Sequence, residues 1–171
     1  MAQLEEPFEF AYDYNQLYLY DAVREHPLEG NEYLDALEAA TESGLTVGAR
    51  SGIVDVLMPR QENFAAVIEV KIITGQPPIR DDSDHVVDFD LPLPSGRLVL
   101  EGSGGSGTVE VNLPPGSYRA RLTGEDFDAA AAWRYEDSGN PSDRYTLHLW
   151  RTGDERPPSE LRRWPGYTNR L

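Results

Sequence analysis

The sequence predicts a mainly β fold, an antiparallel β-sandwich carrying one short amphipathic helix over residues 31–43. Residues 97–123 predict the strand type: three runs alternate apolar and polar side chains between turn sequences, the half-buried pattern of an antiparallel sheet that packs on a core by one face. Eight or nine such runs recur at regular spacing, which is the signature of a sandwich or barrel. Only NEYLDALEAATES carries apolar residues at helical spacing.

In chain order, FEFAYDYNQLYLYD opens with Phe8, Phe10, Tyr12 and Tyr14 in alternation and continues through Leu17 and Leu19, two strands with a break near Asn15. The helix has Asn31 as its N-cap, Tyr33, Leu34, Leu37 and Ala40 on its inner face, and Gly44 just past its end. Its outer face carries Glu32, Asp35, Glu38 and Glu42 with no basic residue four positions away. LTVG, GIVDVLM and FAAVIEVKII read as strands up to a break at Gly75, Pro77 and Pro78. DHVVDFDLPL turns Val87, Phe89 and Leu91 inward and Asp88 and Asp90 outward.

Within 97–123, Leu98, Leu100, Val109, Val111, Leu113, Tyr118, Ala120 and Leu122 face the core. Arg97, Glu101, Thr108, Glu110, Asn112, Arg119 and Arg121 are expected to meet water. RYTLHLW places Tyr145, Leu147 and Leu149 on one face, while IRDDSD and DFDAAAAWRYEDSGNPSD are surface loops, the latter with room for a helical turn at Ala129–Ala132. The expected division is a single sandwich domain over 1–150 and a C-terminal tail over 151–171, docked through Leu161, Trp164 and Tyr167 or disordered.

With 171 residues and 39% hydrophobic content, the chain holds one core. It has no cysteine, which excludes disulfides and thiolate metal sites and suits a cytoplasmic setting. No run approaches the ~18 apolar residues of a membrane span, and MAQLEEPFEF has neither the basic start nor the apolar run of a secretory leader. The net charge is −15, of which residues 1–43 contribute −10 through eleven acids against Arg24. Residues 151–171 are locally basic, five arginines against three acids. Such a charge repels nucleic-acid phosphates and attracts basic proteins or cations.

The motifs argue against catalysis. Gly102–Gly107 spells G-x-G-x-x-G, but a strand follows where a dinucleotide fingerprint needs a helix, so it reads as a hairpin loop. His26, His85 and His148 are scattered, and there is no G-x-S-x-G, no H-E-x-x-H and no thiol nucleophile. Arg151, Arg156, Arg162 and Arg163 beside Trp164 form the basic, aromatic cluster of the tail, and the acidic bulk around it opposes nucleic acid. Asp81, Asp82 and Asp84, with His85, Asp88 and Asp90, concentrate hard oxygen ligands without an EF-hand pattern. They leave open a second reading, a calcium- or carbohydrate-binding β-sandwich module, to which the aromatic strands would also contribute.

An aromatic opening strand ending in Y-x-Q at Tyr14–Gln16 precedes DALEAATESGLTVGARSGIVDVLMPRQENFAAVIEVKI, and VEVNLPPGSYRARL follows. This succession resembles the competence protein J (ComJ) family over roughly residues 10–150. The resemblance implies a protein that inhibits a nuclease by binding it. On that reading the chain is a non-catalytic acidic binding protein that occludes the basic cleft of a nuclease or toxin-like enzyme, with no cofactor. The expected partner-binding carboxylates are Asp81, Asp82, Asp84, Glu125, Asp126 and Asp128, or alternatively Glu32, Asp35, Glu38 and Glu42 on the helix.

Overall fold

The computed structural model describes residues 6–169; the start MAQLE and the last two tail residues, Arg170 and Leu171, lie outside the described residues. One sheet has the order β1 (Phe8–Tyr12), β5 (Asn63–Ile72), β10 (Arg144–Arg151), β9 (Gly116–Glu125), β6 (His85–Leu93), β11 (Ser159–Arg162). The other has the order β3 (Val47–Arg50), β4 (Ile53–Leu57), β2 (Gln16–Asp21), β7 (Arg97–Gly102), β8 (Gly107–Asn112). Alternation along each strand sends every second side chain into one shared core. Ile68, Leu147, Leu122 and Phe89 enter it from the six-stranded sheet, and Leu17, Leu19, Val54, Leu98 and Leu100 from the five-stranded one. The fold is mainly β, as the alternation predicts.

Two features depart from simple antiparallel succession. Tyr14 and Asn15 both have positive φ, 50° and 49°, in a tight turn that carries the chain from one sheet to the other, so β1 pairs with β5 whereas β2 pairs with β4 and β7. Tyr14 therefore leaves the inward alternation of Phe10 and Tyr12. The second departure is that β10 runs parallel to β5. β6 runs the same way, because it and β10 both pair antiparallel with β9, so the Ile73–Asp84 connection from β5 to β6 is a crossover that returns along the outside of the sheet.

That crossover corrects the expectation that Asp88, Asp90, Arg119 and Arg121 meet water. They do point outward, but Asp88, Arg119 and Arg121 are buried. The Arg121 guanidinium donates to both Asp88 oxygens at 2.7 and 2.8 Å, and its remaining nitrogen donates to the Pro77 carbonyl of the crossover. Arg119 donates to Asp90 at 2.9 Å and to the carbonyls of Arg156 and Pro157 in the segment after β10. Two loops thus roof the outer face of the sheet, held by arginines that an alternation pattern assigns to solvent.

Helix α1 (Gly30–Ser43) spans the expected residues, but its N-cap is Glu29, which forms a capping box with Glu32, and not Asn31. Gly44 ends it in the left-handed conformation at φ 69°. The buried positions are Ala36 and Ala40, with Tyr33 and Leu37 beside them, and Leu34 lies outside. The helix covers Tyr18, Tyr20, Ile53 and Val99 on the outer face of the five-stranded sheet. It approaches β3 so closely that a Cβ on Gly48 would lie 2.2 Å from the Ala36 carbonyl oxygen. Gly48→Ala is therefore expected to destabilise the fold by about 1–3 kcal/mol, because backbone and not a pliable side chain stands in the way. An unshifted thermal midpoint would show that the helix yields freely.

Candidate functional site

At one end of the six-stranded sheet β1 and β9 finish and β5, β6 and β10 start, so the intervening loops gather there. Antiparallel pairing opposes His85 to Gly124, and the Asp84 amide donates to the Gly124 carbonyl at 2.9 Å. The 80–84 loop and residues 125–128, distant in sequence, are thereby adjacent. Helix α2 (Phe127–Ala132) follows, realising the helical turn expected there.

The six carboxylates at this junction have different neighbours. Asp84 accepts from the Phe127 amide at 2.9 Å and Asp128 accepts from the Trp164 indole at 2.7 Å, so both hold structure. Asp82 pairs with Arg80. Glu125 lies between Arg80 and Arg144 at 3.5 and 3.6 Å, and Asp126, held at φ 63°, pairs with Arg144 at 3.0 Å. Arg162 from β11 donates to the carbonyls of Arg80, Asp81 and Ser83, which fixes the loop backbone. Asp81, Asp82, Asp126 and Asp128 are exposed, the last with its carboxylate already engaged by Trp164.

Beneath the loops the site is rigid. The Trp164 amide donates to His85 Nδ1 at 3.2 Å, which leaves the proton on Nε2 to meet the Thr46 hydroxyl at 2.7 Å; that hydroxyl in turn donates to Glu160 at 2.6 Å. Burial holds the His85 pKa down at about 4, so the imidazole is neutral. Tyr12 and Tyr145 both donate to the buried Asp143, at 2.7 and 2.6 Å, and Asn63 donates to the same carboxylate at 2.8 Å.

The same end displays aromatic residues that sequence reasoning missed. Tyr14, Phe64 and Tyr135 are 57%, 59% and 73% exposed. Tyr14 continues the alternation of Phe8, Phe10 and Tyr12 in sequence, but the positive-φ turn at Tyr14 and Asn15 takes it out of the strand. Phe64 faces outward because the β1 and β5 register shifts between Phe10 and Tyr12. Tyr135 belongs to the long connection after α2, where no period applies. Together, the loops at 13–15, 58–64, 80–84, 103–106 and 125–144 hold eleven acids against four arginines, a balance of −7.

The alternative carboxylates lie elsewhere, on α1. Glu32 pairs with Arg24 at 2.9 Å, and Arg50 lies 2.9 Å from Glu42 and 4.0 Å from Glu38, so cations from outside the helix supply the partners its own spacing lacks. For the calcium reading, Asp88 and Asp90 lie in the arginine pairs described above, and among the described residues no three His, Asp or Glu side chains converge to hold a metal ion. A cleft of about 800 Å³ lies at the opposite end, between the β3–β4 hairpin and the Thr152–Pro158 segment. Among the described residues no helix is long and apolar enough to cross a membrane.

No protein-family model matches the sequence, and no curated protein is similar to it in sequence. Two solved structures share the fold. The crystal structure of ComJ, inhibitor of the DNA degrading activity of NucA, from Bacillus subtilis, superposes with a TM-score of 0.62 at 16% identity, covering 89% of this chain and 99% of that one. The structure of crocagin biosynthetic gene J gives 0.56 at 16% identity, covering 86% of this chain and 97% of that one. The chain has a ComJ-like fold.

Proposed function

We propose that this chain is a non-catalytic acidic protein that binds a basic protein, a nuclease or toxin-like enzyme, and inhibits it by covering its nucleic-acid cleft. The observation that carries this reading is the −7 loop end on a fold shared with a nuclease inhibitor. Its carboxylates take the place of phosphates before the Lys and Arg of the partner's cleft. Of the six, Asp81, Asp82 and Asp126 face the partner, Glu125 spaces the arginines, and Asp84 and Asp128 keep the loops in place. A cysteine-free chain suits such a role in the cytoplasm.

The test is DNA degradation by purified NucA and a panel of cationic bacterial nucleases, each titrated with this chain. Stoichiometric loss of activity that weakens with added salt is expected for at least one. Undiminished degradation by every nuclease, with the chain in tenfold excess, would overturn the nuclease reading. For an inhibited nuclease, the triple variant Asp81→Asn, Asp82→Asn, Asp126→Asn is expected to slow association roughly tenfold at low salt while leaving the melting temperature and dissociation rate nearly unchanged, because steering depends on the summed field. Equal association rates at two ionic strengths would remove these residues from the interface and transfer the role to Glu32, Asp35, Glu38 and Glu42.

A further inference from the structure

We propose that Tyr14, Phe64 and Tyr135 are the residues that grip the basic partner, and that the carboxylates around them bring it in but do not hold it. This deepens the reading above and rests on it. Exposed aromatic residues scattered singly over a surface carry no meaning, but here three of the seven exposed large hydrophobic residues among those described share the end with the acid-rich loops. Partner specificity follows from the charge: rigid aromatic rings framed by carboxylates fit a protein cleft with an apolar rim and a cationic floor.

The rings stand on a preorganised support. The Asn15 amide donates to the Gln61 carbonyl and the Met58 amide to the Asn15 carbonyl, both at 2.8 Å, which ties the Tyr14 turn to the 58–62 loop. Arg60 in that loop donates to the Ala130 carbonyl and stacks on the Trp133 ring at 5.0 Å, and Trp133 meets Tyr135 edge-on at 5.5 Å. Arg60 thus joins the β4–β5 loop to the Tyr135 connection. On its other flank, the Tyr14 ring lies against Gly104, where a Cβ would come within 2.6 Å of it. Ordering entropy that a mobile loop would lose on binding is already lost in the free protein.

Backbone strain marks the same place. Four described non-glycine residues have φ in the left-handed region, and three of them, Tyr14, Asn15 and Asp126, belong to this end. A tyrosine at the first central position of such a turn is disfavoured against glycine or asparagine, and the fold tolerates it where the ring must be displayed.

The experiment uses the full chain and the nuclease it inhibits. Tyr14→Ala, Phe64→Ala and Tyr135→Ala, each at an exposed side chain, are compared with Leu34→Ala on α1 as a control for any exposed apolar residue. At least two of the three are expected to raise the dissociation rate tenfold or more with association changed less than twofold, and Leu34→Ala to change neither. Unchanged dissociation rates in all three, with inhibition retained, would overturn the aromatic grip and leave the inhibitor reading intact. If no nuclease is inhibited, the surface is examined with protamine as a basic probe at physiological salt. Nuclear magnetic resonance shifts at Tyr14, Phe64 and Tyr135 that disappear in the alanine variants would then support the surface without the nuclease, and shifts confined to α1 would reject it.

Discussion

Asp55→Asn is expected to make the protein more stable in alkaline solution by on the order of 3–5 kcal/mol, with a far smaller gain near pH 5. Asp55 lies in β4 opposite Tyr18 of β2 and Gly48 of β3, on the face that α1 covers, and it is fully buried with neither carboxylate oxygen hydrogen-bonded. Burial alone pushes its pKa up to about 8. Between the ordinary aspartate value and that raised one, the folded protein keeps a proton that the unfolded chain has released, so stability falls as pH rises through the window. Each pH unit removes about 1.4 kcal/mol at most, and the loss ends above the folded pKa. His85 works in the opposite sense, since its depressed pKa means stability is lost as pH falls from the unfolded imidazole value toward about 4. The two slopes oppose each other in acid, and Asp55 alone acts between roughly pH 6.5 and 8. Asparagine keeps the shape of the protonated acid without the ionisation. Urea unfolding of both proteins at pH 5 and pH 9 checks this, and parallel curves for the two would show that Asp55 ionises without cost under the helix.

Asp88→Ala is expected to cost about 3–5 kcal/mol, since it leaves the Arg121 cation buried without its carboxylate. The guanidinium would retain the Pro77 carbonyl and the face of Trp150 at 5.9 Å, which compensate only in part. Replacing both partners, Asp88→Leu with Arg121→Met, is expected to recover most of the loss, because the desolvation cost of two charges disappears with them. Urea midpoints of the single and double variants distinguish this from simple loss of packing, which the double variant would not repair. The single variant is also expected to loosen the Ile73–Asp84 crossover, seen as faster proteolysis there, because Arg121 joins that loop to the sheet.

How far the sequence is legible depends on whether a residue's environment is local. Strands at 85–93, 97–102, 107–112 and 116–125 follow from period-two alternation, because a strand presents successive side chains to opposite faces whatever surrounds it. The helix is legible for the same reason, and Gly44 ends it as expected; its cap and inner face were displaced because Glu29 and Glu32 satisfy each other and Gly48 admits Ala36 and Ala40 in place of Leu34. The acidic loops were visible as composition. Their adjacency was not, since it depends on His85 pairing with Gly124 across 39 positions of sequence.

By itself the sequence determined the class of fold, the place of nearly every strand, the single long helix and the strongly negative charge, all of which rest on periodicity and composition within short windows. The tertiary structure alone decided which outward faces stay dry, why Arg121 and Asp88 are buried, and that Tyr14, Phe64 and Tyr135 are exposed at the end of the sheet where the acidic loops gather. The physical reason is that alternation fixes which face of the sheet a side chain leaves from. What covers that face, a crossover, a helix or water, is set by contacts between segments far apart in the chain.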